Sequence, residues 1–218
     1  MVPVFVVLTI LIFIVFDYFF RWKPAQQAAK LSTAPVNRLL DYVPKGVFFQ
    51  NNFTWAMMNP EGSVSLGLNP LLLGLTEKPD KIQLLVSPGQ QVQKGDPLAK
   101  LKKQGKELTV YSTMNGTVRS LNPDIIEEPV FRNWVHNWFI KVDPENVEEV
   151  VSRSAYGEKA KEWMQNNYNK IKEFISSSIG ESEPAYSMAD GGELPIGVLS
   201  KLDNEAWQKF EQDFLKIT

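Results

Sequence analysis

The stretch that decides the fold runs from Val86 to Val118 and reads VSPGQQVQKGDPLAKLKKQGKELTVYSTMNGTV. Its first half has the pattern Val-x-x-Gly-x-x-Val-x-x-Gly-Asp-x-Leu, and its second half ends Val-Tyr-Ser-x-x-Asn-Gly-x-Val. The glycines permit tight turns, and the spaced aliphatic side chains can fill a small core between two sheets. Asn115-Gly116 is the strongest hairpin signal in the chain. The stretch therefore predicts two similar β-rich halves that share one core.

Apolar runs on both sides extend this pattern over residues 46–145. Three of them have the β-branched and aromatic composition of strands: Val47-Phe48-Phe49, Phe53-Thr54-Trp55 and Trp138-Phe139-Ile140-Lys141-Val142. Ser63 to Leu68 alternates Val64, Leu66 and Leu68 with small residues, which predicts a half-buried strand. Asn69-Pro70 predicts a short helix, with Asn69 as its N-cap and Pro70 at its first position. The chain between residues 46 and 145 is therefore expected to be one mainly β domain.

After Pro144 the apolar residues recur at helical spacing, so residues 146–218 are expected to form a helical extension. Asp203 is the predicted cap of the last helix. Trp207, Phe210 and Phe214 fall on one face of that helix. Such a stripe is more often core than a docking surface, but the three residues are kept as candidate contacts with a partner subunit.

Residues 1–22 predict a transmembrane anchor. No charged side chain occurs from Met1 to Phe16, and twenty helical residues rise about 30 Å, the thickness of the hydrocarbon core. A cleaved signal peptide is the alternative, but it would normally carry Lys or Arg before the apolar run. Basic residues follow the run instead, so the positive-inside rule places the C-terminal body in the cytoplasm. The expected location is the bacterial inner membrane, crossed once.

Residues at the C-terminal end of this span, and Lys23 just after it, are candidate contacts with the bilayer or with a partner. Trp22 suits the interfacial aromatic belt, and Arg21 and Lys23 begin the basic flank. Asp17 lies four residues before Arg21, which favours a local ion pair over a contact with a partner's membrane helix. Residues 23–45 show no clean apolar period and are predicted to be a tether.

The composition excludes or disfavours several classes of function. The 218 residues include no cysteine and a single histidine, and the formal net charge is −2. Disulfides, Cys-ligated metals and a Cys nucleophile are thus excluded, and a His-rich metal site would be hard to build. The charge argues against nucleic-acid binding. We expect neither a metal nor enzymatic activity.

In order and spacing, these motifs resemble the biotinyl/lipoyl carrier superfamily, and within it the H-protein of the glycine cleavage system. The resemblance runs from about Lys45 to Met164 and implies a lipoyl-type β-sandwich, or barrel-sandwich hybrid. Phe53 stands where the family usually has a histidine.

The family's lipoyl-lysine lies at a hairpin tip, with an acidic residue three positions before it. Counting forward from Gly95 or backward from Gly116 leads to Gly105 at the lysine position, with Lys102 at the acid's position. The resemblance therefore implies that the lipoate site is missing. Three interpretations remain open: Gly105 only tightens the turn, a shifted acceptor (Lys102, Lys103 or Lys106) carries lipoate, or the basic tip contacts an acidic partner or anionic lipid.

The leading hypothesis is a non-catalytic, membrane-anchored subunit without a cofactor, which scaffolds a membrane complex from the cytoplasmic face. Other subunits and the bilayer are its expected partners, and electron-transfer assemblies are candidate hosts. The first alternative is a lipoate carrier that uses a shifted lysine. The second is a periplasmic adaptor of the membrane-fusion type, although only about a dozen residues separate the half-motifs, too few for the helical hairpin that such adaptors insert.

Overall fold

The strands pair into two antiparallel sheets. The computed structural model describes Val36 and residues 43–126, 137–178 and 193–217. Within these ranges the strands are β1 Val47–Phe49, β2 Thr54–Met58, β3 Val64–Leu68, β4 Lys81–Leu84, β5 Gln91–Val92, β6 Pro97–Lys103, β7 Lys106–Tyr111, β8 Gly116–Leu121, β9 Trp138–Pro144 and β10 Ala155–Tyr156. The larger sheet has the order β10-β1-β2-β3-β9-β8-β5, and the smaller one has the order β4-β6-β7.

Four α-helices accompany these sheets in the described ranges: α1 Pro70–Thr76, α2 Val147–Ser152, α3 Glu158–Ser178 and α4 Asn204–Phe210. A 3-10 turn, Val198–Lys201, precedes α4, and a π-helical turn, Glu211–Leu215, follows it. Both predicted caps are present, because the side chain of Asn69 accepts from the Leu71 amide and that of Asp203 from the Ala206 amide. The prediction of a mainly β fold followed by C-terminal helices is therefore confirmed.

The two half-motifs of the central stretch exchange backbone hydrogen bonds. Gly89 N–H donates to Val118 O at 2.7 Å, and Gly95 N–H donates to Ser112 O at 2.8 Å. Both glycines have a positive φ, which a residue with a Cβ adopts at a cost. The spaced aliphatic residues of both halves are buried in the common core: Val86, Val92, Leu98, Val110 and Val118.

Asn115-Gly116 does not form the hairpin that its sequence predicts. The strands on either side of it, β7 and β8, belong to different sheets. A Cβ on Gly116 would lie 2.4 Å from the backbone oxygen of Asp143. Glycine is therefore needed here because β8 and β9 approach each other closely, and not because the chain turns. The side chain of Asn115 accepts from the backbone N–H of Lys94 at 2.8 Å.

The C-terminal extension packs on the β domain. One face of α3 is buried at Ala160, Met164, Tyr168, Ile171 and Ile175. Trp207 is 3% exposed and Phe210 is fully buried, while Phe214 is partly buried against the same core. Trp207 and Phe210 are thus core side chains and not available to a partner subunit, because this chain itself already buries them.

Val36 also belongs to the folded body, although the sequence placed it in the tether. It is fully buried, and its N–H donates to Leu194 O at 3.0 Å. The predicted anchor, with Asp17, Arg21, Trp22 and Lys23, lies outside the described residues. Inside the described ranges, none of the helices has the length and apolarity that a membrane crossing requires.

Candidate functional site

The β6–β7 hairpin ends in a two-residue turn. Lys103 pairs with Lys106 across the hairpin, and the turn residues Gln104 and Gly105 have φ values of 49° and 80°. Two consecutive positive φ values are typical of a type I′ turn, which suits the twist of the strands. Asp80 Oδ2 accepts from the backbone N–H of Gln104 at 2.7 Å and holds this conformation. Gly105 therefore lies at the tip, as the sequence predicts.

Lys102 lies beside an acid on the opposite strand. Its Nζ is 2.7 Å from Oε1 of Glu107, and Lys100 Nζ is 2.8 Å from Oε2 of the same carboxylate. Hydrogen bonds from Lys100 and Lys102 lower the pKa of Glu107 to about 2. The Lys102 side chain remains 38% exposed, so it is held but accessible.

Lys103 folds away from the tip. Its Nζ donates to Lys78 O at 2.7 Å and lies 3.5 Å from Asp80 Oδ1 and 3.7 Å from Glu77 Oε2. Only 13% of its side chain is exposed. The hydrogen bond that Asp80 accepts from the Gln104 amide, together with the nearby charge of Lys103, lowers the pKa of Asp80. This cluster ties the hairpin tip to the segment between α1 and β4.

Lys106 points into the C-terminal extension. Its Nζ donates to the carbonyl oxygens of Leu202 and, at 3.1 Å, Ser200. The same ammonium group lies 5.5 Å from the ring centroid of Trp207, within cation–π range. These acceptors lie at the end of the 3-10 turn, where carbonyls lack helical partners.

The segment 198–215, which we call the cover, also protects the open edge of β7. Trp207 Nε1 donates to Glu107 O at 2.7 Å, and Glu211 Oε2 accepts from Thr109 N–H at 3.0 Å. Glu211 Oε1 accepts from the Tyr111 hydroxyl at 2.9 Å. Burial and the adjacent Glu211 carboxylate raise the pKa of Tyr111. Without the cover, the backbone groups of this edge strand would be free to pair with another chain.

Aromatic rings hold the other side of the cover. Phe53 lies 5.5 Å from Trp163 and 6.2 Å from Phe214, measured between ring centroids. Phe214 in turn lies 5.5 Å from Phe174 and 4.9 Å from Phe210. Phe53 is 1% exposed. An apolar ring at this position thus contributes to the surface on which the C-terminal helices pack.

The structure brings together the predicted residues Lys102, Lys103, Gly105 and Lys106 at one tip. Sequence reasoning missed Asp80 and Glu211, because neither belongs to a motif and Glu211 is 102 residues away from Thr109 along the chain. The positions of the lysines in β6 and β7 did not indicate which amines the rest of the chain would bind. His136 and the adjacent acids 127–128 lie outside the described residues. Across the described ranges, no group of three or more His, Asp or Glu side chains could hold a metal ion.

Comparison with known proteins identifies the β domain. The family model described as glycine cleavage H-protein matches residues 47–167, more than half of the chain. A glycine cleavage system H protein of Aquifex aeolicus is 29% identical over 136 residues, covering 59% of this chain and 83% of that protein. A probable glycine cleavage system H protein of Pyrococcus horikoshii is 24% identical over 130 residues, covering 56% and 92% of the two chains.

Among solved structures, a glycine cleavage system H protein from Mycobacterium marinum aligns with a TM-score of 0.48 at 15% identity, covering 57% of this chain and 99% of that one. The matched region of the family model takes in all ten described strands and the hairpin tip and stops before the cover begins. On the strength of that match, this chain belongs to the glycine cleavage H-protein family.

Proposed function

We propose that this chain is a non-lipoylated member of the family, anchored by residues 1–22, that stabilises a membrane complex from its cytoplasmic face without catalysing a reaction. The observation that carries the proposal is the state of the hairpin tip. Gly105 has no amine to accept lipoate, and the three lysines around it are engaged by other groups of the same chain.

A lipoyl carrier needs an amine that extends freely from its tip. Lys103 is largely buried against Lys78 and Asp80. Lys106 is held by two carbonyl oxygens and the Trp207 ring. To modify either lysine, a ligase would first have to break these contacts, and a shifted lysine lacks the positioning that such chemistry requires.

The packing of the cover on the β domain also supports a structural role. It begins at Val198, beyond residue 167, where the family match ends. It binds the strand that leads away from the tip and packs on Phe53, which replaces the usual histidine of the family. Both features fix the C-terminal extension on the β domain, as expected of a structural subunit.

Lipoate carriage is the second candidate function, and the relatives favour it because they are glycine cleavage system H proteins. Lys102 is then the best acceptor, since 38% of its side chain is exposed and, among the described residues, its ammonium pairs with the Glu107 carboxylate alone. Its distance of three residues from the turn apex is the argument against it.

The intact mass of the protein from its native membrane, measured with the chains that co-purify, separates the two functions. We expect the unmodified mass and partner chains in constant ratio, which would also name the host complex. A lipoyl-sized addition on Lys102, Lys103 or Lys106 would contradict the proposal and favour the carrier. Isolation as a single species in mild detergent would contradict the scaffold role.

A variant with a lysine at the tip tests whether the missing amine at position 105 is what prevents lipoylation. Gly105→Lys places an amine where a Cβ meets no atom within 4 Å, and Gly62→Lys is a matched control with a similar φ of 85° and equally open surroundings. With a lipoate ligase, we expect modification of Gly105→Lys alone. Modification of the unchanged chain would contradict the proposal.

The membrane orientation has its own test. A reporter fused after Thr218 is expected to be active on the cytoplasmic side, because the basic residues follow the predicted span. Activity on the opposite side would favour the periplasmic adaptor instead.

A further inference from the structure

A second basic cluster lines a cleft of about 170 Å³ that none of the tip residues borders. Five segments of the chain form its walls: the β1–β2 connection, the turn before β6, the loop after β7, the C-terminal end of α2 and the last residues of the chain. Its lining includes Gln50, Lys94, Thr113, Val150, Arg153 and Lys216.

The cleft has more positive than negative charge. Three cationic side chains and one carboxylate, Glu149, line it. Arg153 Nη1 pairs with Glu149 Oε1 at 2.8 Å. Lys94 and Lys216 have no acidic partner anywhere in the described ranges, in contrast to Lys102, Lys103 and Arg153. Two ammonium groups are therefore available to a ligand from opposite halves of the sequence.

Gln50 supplies a buried polar group in the same cleft. The residue is 3% exposed, and its Oε1 accepts from the hydroxyls of Thr54, at 2.9 Å, and Thr113. Its amide nitrogen has no hydrogen-bond partner within the part of the chain that the structure describes. This nitrogen is not among the fully buried unpartnered atoms, so it is accessible and can donate to an oxygen atom bound in the cleft.

The remaining wall is apolar. It is lined by Val150, which is 3% exposed, and by Ile217. The cleft is smaller than the pockets that take drug-sized ligands, and its apolar wall suits the carbon skeleton of a small organic molecule. We propose that the cleft binds a small organic dianion, a dicarboxylate or a phosphate monoester, with Lys94 and Lys216 pairing its charges and Gln50 donating to one of its oxygens.

Isothermal titration calorimetry of the full chain in detergent tests this site. Succinate and glycerol 3-phosphate serve as dianionic probes, and succinamide and glycerol are their neutral counterparts. We expect saturable binding of at least one dianion at physiological salt and none of the neutral compounds. The absence of saturable dianion binding, or equal binding of a neutral counterpart, would overturn the proposal.

Charge-matched variants locate the binding. In the double variant Lys94→Gln/Lys216→Gln, we expect the affinity to fall by at least about 100-fold, as for the loss of two charged hydrogen bonds. Lys159→Gln/Lys170→Gln removes the same charge from exposed positions of α3 and should leave the affinity unchanged. Equal losses in the two variants would show that only net charge is sensed and would overturn the site.

Discussion

The hairpin tip and the cleft both gather lysines, but the fold treats the two sets differently. At the tip, Lys103 and Lys106 donate to backbone carbonyls of other segments. In the cleft, Lys94 and Lys216 line open space without an acidic partner in the described ranges. The difference shows that a run of lysines in a sequence does not by itself mark a binding site. What counts is whether the folded chain already satisfies the amines.

Removing the largest side chain of the cover, Trp207, should lower the free energy of unfolding more than any other change proposed here. Trp207→Ala deletes a buried ring, its hydrogen bond to Glu107 O and the surface under Lys106. We expect the free energy of unfolding to fall by about 3–5 kcal/mol, from lost burial and a new cavity. Urea denaturation measures the loss, and Trp207→Phe, which keeps most of the ring, should lose clearly less. A loss below about 1 kcal/mol for the Ala variant would mean that the cover contributes little to stability.

Glu211→Gln weakens the cover without creating a cavity. The amide can no longer accept from both Thr109 N–H and the Tyr111 hydroxyl, so we expect a loss of about 1–3 kcal/mol in the free energy of unfolding. Glu205→Gln, on the exposed first turn of α4, is the control and should be near neutral.

Glu211→Gln should also change how Tyr111 titrates. Burial and Glu211 raise the pKa of Tyr111 in the folded state, so its contribution to stability is complete below the unfolded pKa of about 10 and is lost as pH rises through the folded pKa. Phenolate absorbance should show the Tyr111 pKa falling in Glu211→Gln. An unchanged titration would contradict the contact.

A matched pair of lysine substitutions sharpens the comparison directly. Lys106→Gln loses donors to two carbonyls and a cation–π contact, which predicts a loss of about 1–2 kcal/mol in unfolding free energy. Lys94→Gln should change it by less than about 0.5 kcal/mol, because its amine has no partner in the described chain. Equal losses in denaturation would remove the distinction between tip and cleft.

The smallest effect is expected in acid. Hydrogen bonds from Lys100 and Lys102 lower the pKa of Glu107 from its ordinary 4.5 to about 2. Its contribution to stability is therefore present above pH 4.5 and is lost as pH falls through about 2. NMR titration of the Glu107 carboxyl carbon should show this pKa moving upward in Lys102→Gln. A midpoint that stays in place would mean that Lys102 does not hold the carboxylate.

Local motifs predicted the parts of the fold that depend on a few neighbouring residues. The cap at Asn69, the glycine turns at Gly89 and Gly95 and the helical stripe after Pro144 all appear where they were expected. The hairpin predicted at Asn115-Gly116 was wrong, because the same dipeptide can form a hairpin turn or allow two strands to approach closely. Only the position of Asp143 distinguishes the two.

The sequence by itself determined the β-rich domain and the glycine at the hairpin apex, because turns, caps and apolar spacing are set by interactions between residues close together in the chain. Only the tertiary structure decided that Trp207 and Phe210 are core, that Lys106 is covered and that Lys94 and Lys216 line one cleft. These facts depend on contacts such as that between Lys106 and Leu202, 96 residues apart. No local pattern encodes such a contact, since it forms only when the sheets and the extension pack together.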